Sequence, residues 1–208
     1  MAPRTHGLYR RFSSGTSVSW LRFTADGAAF AAATSPGWAA QIATWLRPGA
    51  PAYIAQGRWS IEGGEAVYTL EYRLAMAATM LVTRLHERAR STDDWATINV
   101  SCRIESSSAD YDGKSWRDTY QFVAVEPRWL DGDATPRTFR SFSSTKALAA
   151  AGLGEETLAE IRRCKGATLA MLNALEASEL VALGLSRAAA DAVVALRIRL
   201  PSAKKRAK

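Results

Sequence analysis

Apolar and polar residues alternate with a period of two in several short stretches of the first two thirds of the chain. Ile98, Val100, Cys102 and Ile104 alternate with Asn99, Ser101, Arg103 and Glu105. Tyr68, Leu70, Tyr72 and Leu74 alternate with Val67, Thr69, Glu71 and Arg73 in the same way. This spacing puts one row of side chains on each face of a β-strand, so both stretches are predicted strands. Residues 18–23, the Asp26-Gly27 pair and residues 28–33 read as a hairpin on a tight turn. Trp59 and Ile61, then Gly63-Gly64, then the Tyr68 stretch read as a second. Residues 116–125 supply another strand and 138–142 a short last one. One helix is expected where Trp38, Ile42, Trp45 and Leu46 fall at helical spacing between Pro36 and Arg47-Pro48-Gly49. Residues 75–90, with Met76, Met80, Leu81 and Leu85, fit either a helix face or an insertion between strands. Many short antiparallel strands beside one helix predict a β-barrel, because closure removes exposed edges.

The pattern changes at Ser144, which can cap a helix over 145–151 that Gly152 stops. Leu148, Leu153, Leu158, Ile161, Leu169, Leu172 and Leu175 are then spaced for several short helices around one small core. Another begins at Glu176 and ends at Gly184. Ser186 can cap a longer last helix, in which Ala189, Ala192 or Val193, Leu196 and Leu200 share a face before Pro201. Composition shifts at the same place. All seven Trp, six Tyr and six Phe lie at or before Phe142, and Ala and Leu dominate afterwards. The expected fold class is α+β in two domains: an antiparallel barrel over 1–142 and a five-helix bundle over 143–201, with a basic tail over 202–208.

A net charge of +7 in 208 residues looks like a nucleic-acid signature until it is divided along the chain. Residues 1–144 carry 16 Lys and Arg against 14 Asp and Glu, and residues 145–208 carry 11 against 6. Four of those later cations are Lys204, Lys205, Arg206 and Lys208. The basic character is therefore mostly a tail, which fits a nuclear-import signal, a phosphate contact or a solubilising end. Two Cys separated by 61 residues and two His make neither a zinc site nor a disulfide framework. No apolar run reaches membrane-spanning length, and the N-terminus has no apolar core region of a secretory signal. An intracellular protein, cytoplasmic or nuclear, is expected, with no membrane partner.

Little points to catalysis. His86 sits beside Glu87 and Arg88 without an evident Ser or Cys nucleophile. Asp93-Asp94 and Asp110/Asp112 fall in polar loops, and the latter pair lacks the remaining oxygen positions of a calcium loop. No catalytic residue, metal site or cofactor is assigned. A Trp-rich barrel can enclose an apolar ligand or fill its interior with those rings.

Two resemblances add to this reading. The order Tyr9-Arg10-Arg11-Phe12, then 20–27 (Trp-Leu-Arg-Phe-Thr-Ala-Asp-Gly), Trp45-Leu46, Gly57-Arg58-Trp59 and Phe139-Arg140-Ser141-Phe142 resembles the C-terminal domain of the F-box only protein nine family. That resemblance implies a lipocalin-like barrel and, by itself alone, a link to the ubiquitin pathway, since no F-box is found in these residues. Residues 146–154, 166–175 and 179–186, with the long last helix, resemble a sterile alpha motif (SAM) domain. The resemblance implies association with itself or with other SAM domains. Its end-helix surface would be Leu185, Ser186, Arg187, Ala190 and Asp191. Its mid-surface would be Glu176, Glu179 and Leu180, with Glu160. The same Leu-Gly-Leu turn before a helix also occurs in helix-hairpin-helix DNA modules, but Ser186 stands where such a module needs its second glycine.

The leading expectation is a non-enzymatic adaptor that binds protein partners through the SAM-like region. The alternatives are nucleic-acid binding through the C-terminal region and tail, and binding of an apolar small ligand in the barrel.

Overall fold

The computed structural model of the chain describes residues 2–14, 17–32, 39–50, 54–76, 79–91, 93–131 and 142–197. Eight strands follow one another: β1 (Gly7–Ser14), β2 (Ser17–Phe23), β3 (Ala28–Ala32), β4 (Ala55–Glu62), β5 (Glu65–Met76), β6 (Thr79–Ser91), β7 (Thr97–Ser106) and β8 (Ser115–Ala124). Each pairs antiparallel with the next, and β1 also pairs with β8, closing an up-and-down barrel. Short helices α1 (Ala39–Ala43) and α2 (Pro127–Leu130) flank it. Five more follow: α3 (Thr145–Ala150), α4 (Glu155–Arg163), α5 (Leu169–Ala174), α6 (Ala177–Ala182) and α7 (Arg187–Arg197). No helix among the described residues is long and apolar enough to cross a membrane.

The hairpins predicted at Asp26-Gly27 and Gly63-Gly64 are present. Gly63 and Gly64 both take positive φ, the conformation a two-residue turn between twisted strands requires. Inside the barrel, Tyr9, Leu21, Phe23, Tyr68, Leu70 and Ile98 belong to one buried cluster. Its rings meet edge to face: the Phe23 centroid lies 5.1 Å from Tyr68, 5.7 Å from Tyr9 and 5.6 Å from Trp59. The Tyr9 hydroxyl donates to the Trp95 carbonyl at 3.1 Å and accepts from the Arg4 amide at 3.0 Å. An aromatic layer thus fills one end of the lumen.

The outer face of β1–β3 is covered as well. Leu8, Val18, Trp20 and Phe30 pack with Ile42 and Leu46 of the α1 region and with Ala170 and Ala174 of α5. Buried arginines tie the helices to this wall. Arg22 of β2 donates to the carbonyls of Leu46 (2.7 Å) and Leu130 (3.2 Å), at the ends of the α1 and α2 segments. Arg10 of β1 donates to the Ala174 carbonyl at 3.2 Å and pairs with Glu179 at 2.7 Å. Arg197 of α7 donates to Leu172 and Leu175, where α5 ends. A cation is favoured at a helix C-terminus, where unpaired carbonyls carry partial negative charge.

Two expectations are corrected, and one strand is added. Residues 79–91 are a strand, not a helix or an insertion: Glu87 and Ala89 are buried while Arg84, His86, Arg88 and Arg90 are exposed, the period of a strand. Residues 7–14 form β1, for which the alternation gave no signal. Its two faces are both covered, so Leu8, Tyr9 and Arg10 are buried in succession.

The second correction concerns the C-terminal helices. Helices do form near the expected positions, with Ser144 capping α3 and Ser186 capping α7. They do not constitute a SAM bundle set apart from the barrel. Helix α5 contributes Ala170 and Ala174 to the core on the barrel wall, and Arg10 reaches from β1 to α6. The expected strand over 138–142 lies outside the described residues except for Phe142, as do Pro36 and Trp38.

The Arg10 anchor has a measurable consequence. Arg10→Ala removes both the carbonyl contact and the Glu179 pair, and should cost about 2 kcal/mol of unfolding free energy. Glu179→Gln, which leaves the Ala174 contact intact, should cost less. Urea unfolding of the two variants checks the order.

Candidate functional site

Beyond the aromatic layer the lumen is not filled. A cavity of about 510 Å³ lies between the walls, with Leu21, Ala31, Tyr72 and Leu85 among its apolar lining. It opens to solvent beside Ser13 and Trp116, both exposed. The charged side chains on its wall are Arg11, Glu87 and Asp118.

Strand register explains why these groups meet. Tyr68 of β5 pairs with Glu87 of β6, Glu87 with Cys102 of β7, and Cys102 with Trp116 of β8. Directly opposed residues share a face, so this row of four faces the lumen. One register step away, Asp118 pairs with Val100, and Arg11 crosses from β1 to form an ion pair with it. Arg11 also sits over the Tyr120 ring at 5.9 Å.

Glu87 is 7% exposed. Burial pushes its carboxyl up to about 7, opposed by the neighbouring Tyr68 hydroxyl and Cys102 thiol and reinforced by Asp118. The Tyr68 hydroxyl, fully buried and close enough to affect Glu87, nevertheless makes no hydrogen bond of ordinary geometry. Burial, with Glu87 next in importance, raises the Cys102, Tyr68 and Tyr120 values too, so all three stay protonated at neutral pH. The lumen therefore holds one carboxyl poised near neutrality beside protonated hydrogen-bond donors.

No family model matches this chain. No curated protein and no solved structure matches it either. The resemblances to the SAM domain and to the F-box only protein nine family are accordingly withdrawn, and the ubiquitin link, which rested on the second, goes with them. The motifs behind them are short runs of Leu, Ala, Gly and aromatic residues that any barrel or small helical core uses.

The residues singled out from sequence have structural partners of their own. Leu180, Leu185 and Ala190 are buried in the helical core. Glu176 and Glu179 form the capping box of α6, and Glu179 also holds Arg10. Arg187 and Asp191 pair with each other at 2.9 Å. Glu160 and Ser186, expected on separate surfaces, are hydrogen-bonded through the Ser186 amide and hydroxyl. Lys204, Lys205, Arg206 and Lys208 lie outside the described residues. His86 faces outward and pairs with Glu105, away from the cavity. Asp112 accepts from the Ser106 amide at 3.0 Å.

Sequence reasoning passed over Arg11, Glu87, Cys102 and Asp118 as a site. The signal was present in Leu85, Glu87 and Ala89: once 79–91 is a strand, an acid stands between two apolar residues on the inner face.

The Glu87 shift makes a prediction about stability. Unfolded, the residue ionises near the ordinary 4.5, and folded it keeps its proton to about 7. Its contribution to folding is therefore full below pH 4.5, falls as pH rises to 7, and stays low above that. The loss is about 3 kcal/mol. Glu87→Gln should be more stable than the parent above pH 7, with the difference shrinking toward pH 4.5. Chemical denaturation at matched pH values measures it.

Proposed function

We propose that this protein is a non-enzymatic carrier or sensor that binds a small amphipathic molecule in the barrel lumen. The single observation behind this reading is the cavity itself. Its 510 Å³ falls in the range of small-molecule sites, and it combines aromatic walls with a few convergent polar groups. The ligand is not purely apolar, because Arg11, Glu87 and Asp118 would leave such a molecule facing charge. The adaptor reading has less support, since Leu180, Leu185 and Ala190 of its surface are buried in the helical core and its exposed Arg187 and Asp191 pair with each other.

Glu87 also favours a second reading. A carboxyl titrating near 7 in a cleft is suited to act as a general acid or base. That role requires the bound molecule to be chemically changed, and changed only while Glu87 is intact. Mass spectrometry of the recovered ligand, with the parent and with Glu87→Gln, separates turnover from simple retention.

The binding reading is tested with a neutral fluorophore, Nile red. It should bind with one-to-one stoichiometry and a blue-shifted emission. Ala31→Trp, which fills the lumen from β3, should weaken this binding at least tenfold while circular dichroism stays unchanged. Equal binding by the folded Ala31→Trp variant would place the dye, and the function, elsewhere.

A further inference from the structure

The charged groups of the lumen are unequally satisfied. Arg11 already has Asp118 as an ion-pair partner, Ser19 at 3.5 Å and the Tyr120 ring beneath it. Its charge is spoken for within the wall. Glu87 has no such counter-charge: what faces it are the Tyr68 hydroxyl from β5, the Cys102 thiol from β7 and the carboxylate of Asp118 from β8. With Glu87 ionised, two carboxylates share the cavity wall with one guanidinium. The Tyr68 hydroxyl and the Cys102 thiol are neutral donors beside Glu87 and supply no counter-charge. A buried carboxylate without a counter-charge costs free energy until a cation pairs with it.

The aromatic residues on the same wall complete the pattern. Tyr72 and Trp116 also line the cavity, and the negative face of an aromatic ring attracts a cation. An acid without a counter-ion and the rings of Tyr72 and Trp116 suit an ammonium group carried on an apolar body. They do not suit a carboxylate, which would meet two like charges and find the one guanidinium already engaged.

Resting on the lumen-binding reading above, we infer that the ligand is a primary or secondary amine bound as its ammonium, with Glu87 as counter-ion and the apolar remainder against Leu21, Ala31 and Leu85. Binding carries a proton balance. The ammonium requires ionised Glu87, so the proton this carboxyl holds near neutral pH passes to the buffer as the amine enters.

The test uses the full chain and three probes of one shape: 1-naphthylmethylamine, 1-naphthylmethanol and 1-naphthylacetate, titrated calorimetrically at pH 7. The amine should bind at least tenfold more tightly than the alcohol, with the carboxylate weakest. Glu87→Gln, nearly isosteric, should abolish the amine's advantage over the alcohol. Repeating the amine titration in two buffers of different ionisation enthalpy should reveal fractional proton release, absent for the alcohol and absent in Glu87→Gln. Equal binding of amine and alcohol would overturn the ligand class and leave the binding reading standing. Preference for the carboxylate would assign the specificity to Arg11 and overturn the class as well. Binding of none of the three, with Nile red also excluded, would overturn both.

Discussion

Closure between β1 and β8 is the contact on which both halves of the molecule depend, because β1 serves two cores at once. Its odd-numbered residues enter the lumen, where Tyr9 joins the aromatic layer and Arg11 pairs with Asp118. Its even-numbered residues face outward, where Leu8 packs beneath the helices and Arg10 holds the end of α5. The pairing of Leu8 with Val123 and Tyr9 with Phe122 fixes both sets together. A slip of one residue would exchange the two faces, placing the Arg10 charge in the lumen and removing it from its carbonyl.

Burying charge is the price of this arrangement, and helix ends offset it. Arg10, Arg22 and Arg197 are each under 8% exposed, and each donates to carbonyls at a helix C-terminus. These are short helices, too short to be stable alone, so their formation depends on packing and end contacts. The guanidiniums satisfy carbonyls that would otherwise lie unpaired on an apolar surface. The Nε of each arginine stays without a partner, which shows that the fit is serviceable and not complete.

What could be read in the sequence follows from which faces are solvated. Strands β4, β5, β7 and β8 keep one face in water, so their alternation survives: Ile98, Val100 and Cys102 are buried while Asn99, Ser101 and Arg103 are exposed. Strand β1 loses the pattern because both faces are covered. Strand β6 loses it because Thr83 and Glu87 occupy inner positions that an ordinary core would give to apolar residues. The same substitution that creates the candidate site conceals the strand that carries it. In the C-terminal region, caps such as Ser144 and Ser186 and stops such as Gly152 and Gly184 marked the helix ends correctly. Their packing against the barrel was not legible, because Glu179 looks like any exposed acid until Arg10 is placed beside it.

The Asn173 side chain shows how the chain enters the helical half. Its amide accepts from the Phe142 amide at 2.7 Å and donates to the Phe142 carbonyl at 2.8 Å, imitating the pairing of a neighbouring strand. On the other side, the Leu130 carbonyl is held by Arg22. The chain is thus clamped at 130 and again at 142, each time to a partner distant in sequence. The halves themselves are held by Arg10 and by Ala170 and Ala174 on the barrel wall, so covalent continuity between 130 and 142 is not what keeps them together. A single backbone cut there would leave a two-piece complex with both of its new ends already moored.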